Sequence, residues 1–186
     1  MKKIILGLTV LIALASCQDQ KIAFIDNGKV INEYQMKIDL EEKYKKKDEV
    51  YKKKTDSIGQ SYQLDAQQTQ ARLSKLSQQK QQEGSQEFSQ KWQMIQQQLQ
   101  FEQQQMQQSF SQEMDSVIVK VQSFVNDFGK DNGYTYILGK NEAGSVMYGK
   151  EENDISEEVI KAINAAYTNN KSVASEDSTE ELNTKE

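Results

Sequence analysis

The side chains that usually carry catalysis are scarce in this chain. Its 186 residues include no histidine and a single cysteine, Cys17. Without histidine there is no side chain that ordinarily titrates near neutral pH, and no imidazole metal ligand. One cysteine cannot form an internal disulfide. These counts exclude Ser/His/Asp and Cys/His catalytic sets, so we expect no enzymatic activity, no bound metal and no cofactor.

The surroundings of Cys17 predict a covalent modification. Two lysines and an apolar run occupy residues 2–14, a run too short to span a bilayer, which takes about 20 apolar residues. It ends in Leu14-Ala15-Ser16-Cys17, which resembles the lipobox of bacterial lipoproteins. The resemblance implies a signal peptide, 1–16, that is removed, and a diacylglycerol on Cys17 at the start of a linker, 17–20. The competing interpretation is an ordinary signal peptide with an incidental cysteine.

Six lysines form the densest basic stretch: Lys45, Lys46, Lys47, Lys52, Lys53 and Lys54. They are candidates for attracting acidic proteins or anionic lipid head groups, an attraction that salt screens beyond about 8 Å. The alternative, which we favour, is a solvated helix face with ion pairs to neighbouring acidic residues (Glu41, Glu42, Asp48 and Glu49). We expect no nucleic-acid partner, because the chain is exported and its net charge is −5.

Bulky apolar residues recur at helical spacing and predict a coiled coil. Between residues 88 and 128 they form a heptad-like seam: Phe88, Trp92, Ile95, Leu99, Met106, Phe110, Met114, Val117, Val121, Phe124 and Phe128. A weaker seam runs from residue 31 to residue 76. Phe88 and Trp92 lie on the seam and are expected between two helices. Phe101 lies off it and is the candidate for an exposed apolar contact.

The two seams predict a helical hairpin over residues 29–129. Its tip is expected near 77–85, a polar stretch that contains Gly84 and gives arms of equal length, whereas a tip at Gly59 would make one arm more than twice the other. Residues 28–80 carry 12 basic and 8 acidic side chains, whereas residues 81–129 carry 2 and 6. The opposite charge balance favours antiparallel pairing of the two arms.

The ends of the mature chain predict a small body, residues 21–28 and 130–168. Residues 21–25 read as a strand, and residues 134–138 and 145–148 as a β-hairpin, with Tyr136 and Tyr148 in the core. A helix is expected from Asp154-Ile155-Ser156-Glu157, and the acidic tail, 169–186, is expected to be disordered. The fold class is α+β: a small β-sheet body with a long antiparallel coiled-coil hairpin. So small a body favours an oligomer; the alternative is a monomer with its arm packed on itself.

The order of these elements resembles the Skp/OmpH family of periplasmic chaperones. The opening run Lys21-Ile22-Ala23-Phe24-Ile25-Asp26 is similar to that family's first strand. Residues 136–139, 146–148 and 154–160 are similar to its closing strands and helix. The resemblance implies a trimer with helical tentacles that hold unfolded outer-membrane proteins without ATP.

These observations give three functional hypotheses. The leading one is a holdase for unfolded envelope proteins, located in the periplasm and anchored through Cys17 to a membrane, which we expect to be the outer membrane. The alternative is a structural spacer or adaptor lipoprotein. An enzyme is third, because acid–base catalysis would need a buried pair of carboxylates.

Overall fold

The computed structural model describes the backbone of residues 20–183 and the side chains of residues 20–171. The predicted signal peptide, 1–16, the lipidation site Cys17 and all but the last residue of the linker, 17–20, lie outside the described residues. The described elements are β1 (Ile22–Asp26), α1 (Asn27–Glu33), α2 (Gln35–Leu73), α3 (Gln78–Asp131), β2 (Tyr136–Lys140), a short 3-10 helix (Glu151–Asn153) and α4 (Ser156–Asn183). None of these helices is both long and apolar enough to cross a membrane.

The chain divides into two compact units. The first, the body unit, comprises Met1–Tyr34 and Val119–Glu186, and the second, the hairpin unit, comprises Gln35–Ile118. The fold class is confirmed: long helices accompany a small sheet of two strands.

In the body unit, β1 and β2 pair in parallel, with Ile22 opposite Tyr136 and Asp26 opposite Lys140. The starts of both strands therefore lie at one edge of the sheet. Both faces of β1 are covered along the middle of the strand: Ala23 and Ile25 on one face are 3% and 4% exposed, and Phe24 on the other is 8% exposed. Gly129 of α3 allows this packing, because a Cβ there would lie 3.2 Å from the Ile137 side chain.

The predicted β-hairpin is wrong. Residues 145–148 form no strand, and Tyr148 is 85% exposed rather than part of the core. Tyr136 is also 57% exposed. The reason is that β2 finds its partner in β1, while the segment after it turns at Gly144 (φ 81°) and packs Gly149 against the ring of Phe24. A Cβ at Gly149 would lie 2.4 Å from Phe24 Cε1, so any other residue there would have to displace the Phe24 ring.

Helix α4 begins at Ser156, as predicted, and is fastened to the end of β1. Asp154 Oδ1 accepts a hydrogen bond from the Ser156 amide at 2.9 Å, and the Ser156 hydroxyl accepts one from the Asp26 amide at 2.8 Å. The tail requires a correction, because helical backbone continues to Asn183 where disorder was predicted for 169–186. No glycine or proline follows Gly149, so nothing in the sequence interrupts the helix.

A break at Tyr34, which the sequence did not predict, separates α1 from α2. Tyr34 has extended backbone angles (φ −71°, ψ 121°) and is 4% exposed. Its ring meets the edge of the Tyr167 ring at 5.7 Å, and the Asn164 amide donates to the Glu33 carbonyl at 2.9 Å. The break leaves helix-end groups without their usual helical hydrogen bonds. The Glu33 carbonyl finds a partner in Asn164, and burial of the Tyr34 ring adds packing energy, so both offset the loss.

In the hairpin unit, α2 and α3 are joined by residues 74–77, so the turn lies just before the predicted tip, 77–85, and shares only Ser77 with it, because residues 78–85 are helical. Gly84 is a packing position rather than a turn residue. A Cβ there would lie 2.4 Å from Leu73 Cδ2. The missing side chain lets the last residue of α2 approach α3.

Candidate functional site

The register of the hairpin unit is held by polar links between α2 and α3. Lys43 binds both carboxylate oxygens of Glu113 at 2.7 and 2.8 Å, and Tyr44 donates to Glu113 Oε1 at 2.8 Å. These bonds, Lys43 first and then Tyr44, hold the pKa of Glu113 below its ordinary value. Tyr44 also packs edge-on against Phe110, with ring centroids 5.1 Å apart.

A second link lies nearer the tip. Lys91 binds Asp65 Oδ2 at 2.6 Å, and the Trp92 indole donates to the same oxygen at 3.1 Å. The bond from Lys91 is the main cause that lowers the pKa of Asp65. Trp92 is 8% exposed, and its ring meets Tyr62 at 5.0 Å, so the seam prediction for Trp92 is confirmed.

Two open grooves lie along this hairpin. The first, of about 490 Å³, is lined by Lys46, Lys47, Val50, Tyr51, Lys54, Glu102, Gln105, Met106 and Ser109. The second, of about 610 Å³, is lined by Lys54, Ile58, Glu87, Gln90, Lys91, Met94, Ile95, Gln98 and Leu99. Lys54 belongs to both, so the grooves are neighbours.

Exposed apolar side chains follow the same side of the hairpin. Val50 and Met94, which line the first and second groove, are 67% and 69% exposed, and Phe101 is 61% exposed. On a helix, residues seven apart share a face, so Phe101 lies on the face of Met94, between positions 98 and 105 that line the two grooves. We call Val50, Lys54, Met94 and Phe101 with the two grooves the apolar strip.

The six lysines do not form one patch. Lys45 and Lys52, Lys46 and Lys53, and Lys47 and Lys54 are each seven residues apart, so they fall on three successive faces of α2. Lys46 pairs with Glu42 at 2.8 Å, Lys54 pairs with Glu102, and Lys47 lies 4.5 Å from the centre of the Tyr44 ring. Among the described residues, Lys45, Lys52 and Lys53 are exposed and take part in no ion pair. Lys46, Lys47 and Lys54 line the grooves, whereas Lys45, Lys52 and Lys53 do not.

The sequence predicted that Phe101 is exposed, which the structure confirms, but it did not single out the equally exposed Val50 and Met94; a role for any of them in binding stays a prediction. Met94 could have been found, because it lies seven residues before Phe101 and off the seam. Glu113 and Asp65 were missed because each links α2 to α3 only through the residues that lie beside it on the opposite helix. The pairing register of two helices cannot be predicted from the sequence of one of them.

Comparison with known proteins assigns the chain to a family. The family model described as outer membrane protein (OmpH-like) matches residues 21–163. The chain belongs to the OmpH-like family. A second model, for the prokaryotic membrane lipoprotein lipid attachment site, matches residues 1–18. Together the two matches indicate a protein of the bacterial cell envelope.

A solved structure shares the OmpH-like fold. It is a candidate OmpH-like outer membrane chaperone from Caulobacter crescentus CB15, with a TM-score of 0.69 over 80% of this chain and 86% of that chain, at 11% identity. At this identity the likeness establishes the fold. A search of curated proteins gave no significant match.

Proposed function

We propose that this chain is an ATP-independent holdase that binds unfolded outer-membrane and other envelope proteins and prevents their aggregation. The observation that carries the proposal is the apolar strip: three large apolar side chains are exposed to solvent on one side of the hairpin unit. Membership in the OmpH-like family, and the chaperone fold of the Caulobacter structure, support the same assignment.

The form of the strip suits weak binding of many sequences. Its exposed apolar side chains are separated by polar residues, and the stretch around Phe101, residues 96–108, is rich in glutamine. One large apolar patch would drive self-association, whereas separated contacts let an unfolded chain bind at several points with little affinity at each. The grooves are open, so a client can bind and leave without a gating movement of the helices.

The lysines add an electrostatic contact in this proposal. Lys54, although paired with Glu102, and the exposed Lys45, Lys52 and Lys53 surround α2 with positive charge. Acidic segments of a client would be attracted to the sides of α2 that do not pack against α3, over the short range that salt permits. Such contacts steer association more than they add affinity.

The proposal places the protein in the periplasm, anchored by a lipid on Cys17, with the outer membrane as the expected site. The match to the lipid attachment model over residues 1–18 supports this. Each buried acyl methylene contributes about 0.8 kcal/mol, so more than one acyl chain gives a stable anchor.

We further propose a homotrimer formed through the exposed face of the sheet. Ile22, Tyr136 and Leu138 are 43%, 57% and 46% exposed, and alternation along the paired strands places them on the same face. Phe24 shares this face but is already covered by the segment at Gly149, so the other three side chains form its exposed part. The outer edge of β1 is covered within the chain by its bridge from Phe24 to Asp154, whereas β2 pairs with no further strand among the described residues and leaves one edge of the kind that soluble proteins usually cover. A second and third copy would cover this face.

The test is suppression of aggregation. A urea-unfolded outer-membrane β-barrel protein is diluted into buffer with the full lipidated chain in nanodiscs, and light scattering is followed. Empty nanodiscs, and nanodiscs carrying an unrelated lipoprotein, are the controls. A holdase lowers the scattering at a molar excess without ATP. A spacer or adaptor, the alternative function, would leave the scattering unchanged.

A further inference from the structure

The first described residues of the chain are fixed firmly to the body unit. The Lys21 carbonyl accepts a hydrogen bond from the Thr135 amide at 2.8 Å, and Lys21 Nζ donates to the Asn132 carbonyl at 3.0 Å. The same ammonium lies 3.8 Å from the centre of the Tyr134 ring. These three contacts fix the position of Lys21 relative to the rest of the body unit.

Lys21 is only four residues from Cys17. Fully extended, four residues span at most about 14 Å. A lipid on Cys17 therefore limits how far Lys21 can lie from the bilayer surface, whatever path the intervening residues take.

The residues around Lys21 form one edge of the body unit. Because β1 and β2 are parallel, their starts lie together, and the turn that leads from α3 into β2 lies there too. We call Lys21 and residues 130–135 the proximal edge. Asp131 and Asn132 are exposed, and Tyr134 is half-buried, stacked on Phe128. Lysine and tyrosine are both residues that tolerate the membrane–water interface.

We infer that the proximal edge lies against the phospholipid head groups, held there by the short lipid tether. The inference rests on the proposed lipidation of Cys17. The edge carries too little charge to bind the membrane unaided: its two lysines, Lys21 and Lys130, are offset by Asp131 within the edge, and Lys130 is paired at 3.4 Å with Asp127, which precedes the edge in α3. The body unit thus stays at the membrane surface and does not act as a diffusing carrier.

The chain permits a clean labelling experiment. In the mature lipoprotein the sulfur of Cys17 is a thioether, so one introduced cysteine is the only reactive thiol. A fluorophore on Asp131→Cys reports on the proximal edge. The matched control is Glu158→Cys, another exposed carboxylate, which follows Ser156 at the opposite end of the strands.

Both lipidated, labelled proteins are placed in vesicles that carry a nitroxide on the head group. We expect quenching at position 131 to exceed that at position 158 by about twofold or more, since five strand residues separate them by roughly 17 Å. The excess should be the same in zwitterionic and anionic vesicles. Inserting about sixteen glycine and serine residues after Gln18 adds roughly 20 Å of reach and should abolish the excess.

Two results would overturn the inference while leaving the lipid anchor intact: equal quenching at both positions in the unextended chain, or an excess that survives the insertion. A chain that fails to remain on the vesicles, and whose mass lacks the lipid, would instead refute the anchor and this inference together. None of these results bears on the proposed holdase activity, which is tested separately by suppression of aggregation.

Discussion

Tyr44 and Glu113 lie 69 residues apart in sequence and are joined by a hydrogen bond of 2.8 Å between the phenol and the carboxylate. The Tyr44 side chain is nearly buried, so this bond fixes one point of α2 against one point of α3. Lys43 binds the same carboxylate, and the Asp65–Trp92 bond repeats the arrangement nearer the tip. The antiparallel register of the hairpin thus depends on a few polar pairs among many glutamines.

The Tyr44–Glu113 bond predicts a loss of stability in Tyr44→Phe. The ring and its contact with Phe110 remain, whereas the hydrogen bond to a charged acceptor is lost, so the hairpin unit should lose about 1 kcal/mol. The measurement is denaturant unfolding followed by circular dichroism. Tyr62→Phe is the matched control. Among the described residues the Tyr62 hydroxyl has no hydrogen-bond partner, so its removal should change the free energy of unfolding little. Equal losses in both variants would contradict the proposed role of the bond.

The same carboxylate predicts a pH dependence. The Lys43 and Tyr44 bonds hold the pKa of Glu113 below its ordinary 4.5. A depressed pKa contributes stability that is present above 4.5 and is lost as the pH falls through the folded-state value. The stability gap between the native chain and Glu113→Gln should therefore close as the pH falls below about 4.5. The control is Glu87→Gln, because the Glu87 side chain takes part in no ion pair among the described residues. Its stability should not differ from that of the native chain in a pH-dependent way.

The two helical glycines of the hairpin unit predict opposite responses to alanine. At Gly59 nothing lies within 4 Å of an added Cβ, so Gly59→Ala should stabilise the helix by about 0.5–1 kcal/mol. At Gly84 the Cβ would meet Leu73, so Gly84→Ala should gain less or destabilise. Melting temperatures decide the matter. Equal gains in both variants would show that Leu73 moves aside at no cost.

Features that depend on the spacing of side chains within one segment could be predicted from the sequence. The α+β class, the helical seam and the start of α4 all follow from the spacing of side chains along one segment. Trp92 and Val117 are buried and Phe101 is exposed, as that spacing requires. The charge imbalance between the arms also has a physical counterpart in the Lys43–Glu113 and Lys54–Glu102 pairs.

Features that depend on distant partners could not be predicted. The segment at 145–148 has the alternation of a strand, but β2 pairs with β1, and Gly149 packs on Phe24 instead. The polar stretch around Gly84 is typical of a turn, yet Gly84 lies within α3 and packs against Leu73 of the opposite helix. The break at Tyr34 depends on Tyr167, far along the chain. In each case the local pattern was compatible with two structures, and a tertiary contact selected one.

The proposed trimer predicts that the exposed sheet face can be changed without unfolding the chain. Leu138→Asp should lower the mass measured by light scattering toward that of one chain, because a charge would be buried in the interface. The far-ultraviolet circular dichroism should stay the same, since Leu138 is 46% exposed within one chain. Met147→Asp, at a position 90% exposed in the following loop, is the control and should leave the mass unchanged. An unchanged mass for Leu138→Asp would exclude this face as the interface.

The apolar strip predicts which residues carry the proposed holdase activity. Met94→Ser combined with Phe101→Ser removes two exposed apolar contacts from one face of α3. Protection of an unfolded β-barrel should weaken by roughly three- to tenfold, the effect of about 1 kcal/mol of lost apolar contact. The melting temperature should not fall, because both side chains are mostly exposed in the free protein. Val119→Ser is the matched control, since Val119 is as exposed as Phe101, at 61%, but lies in the body unit. If the control weakened protection as much as the double variant, clients would bind by general apolar exposure and the strip would not be the site.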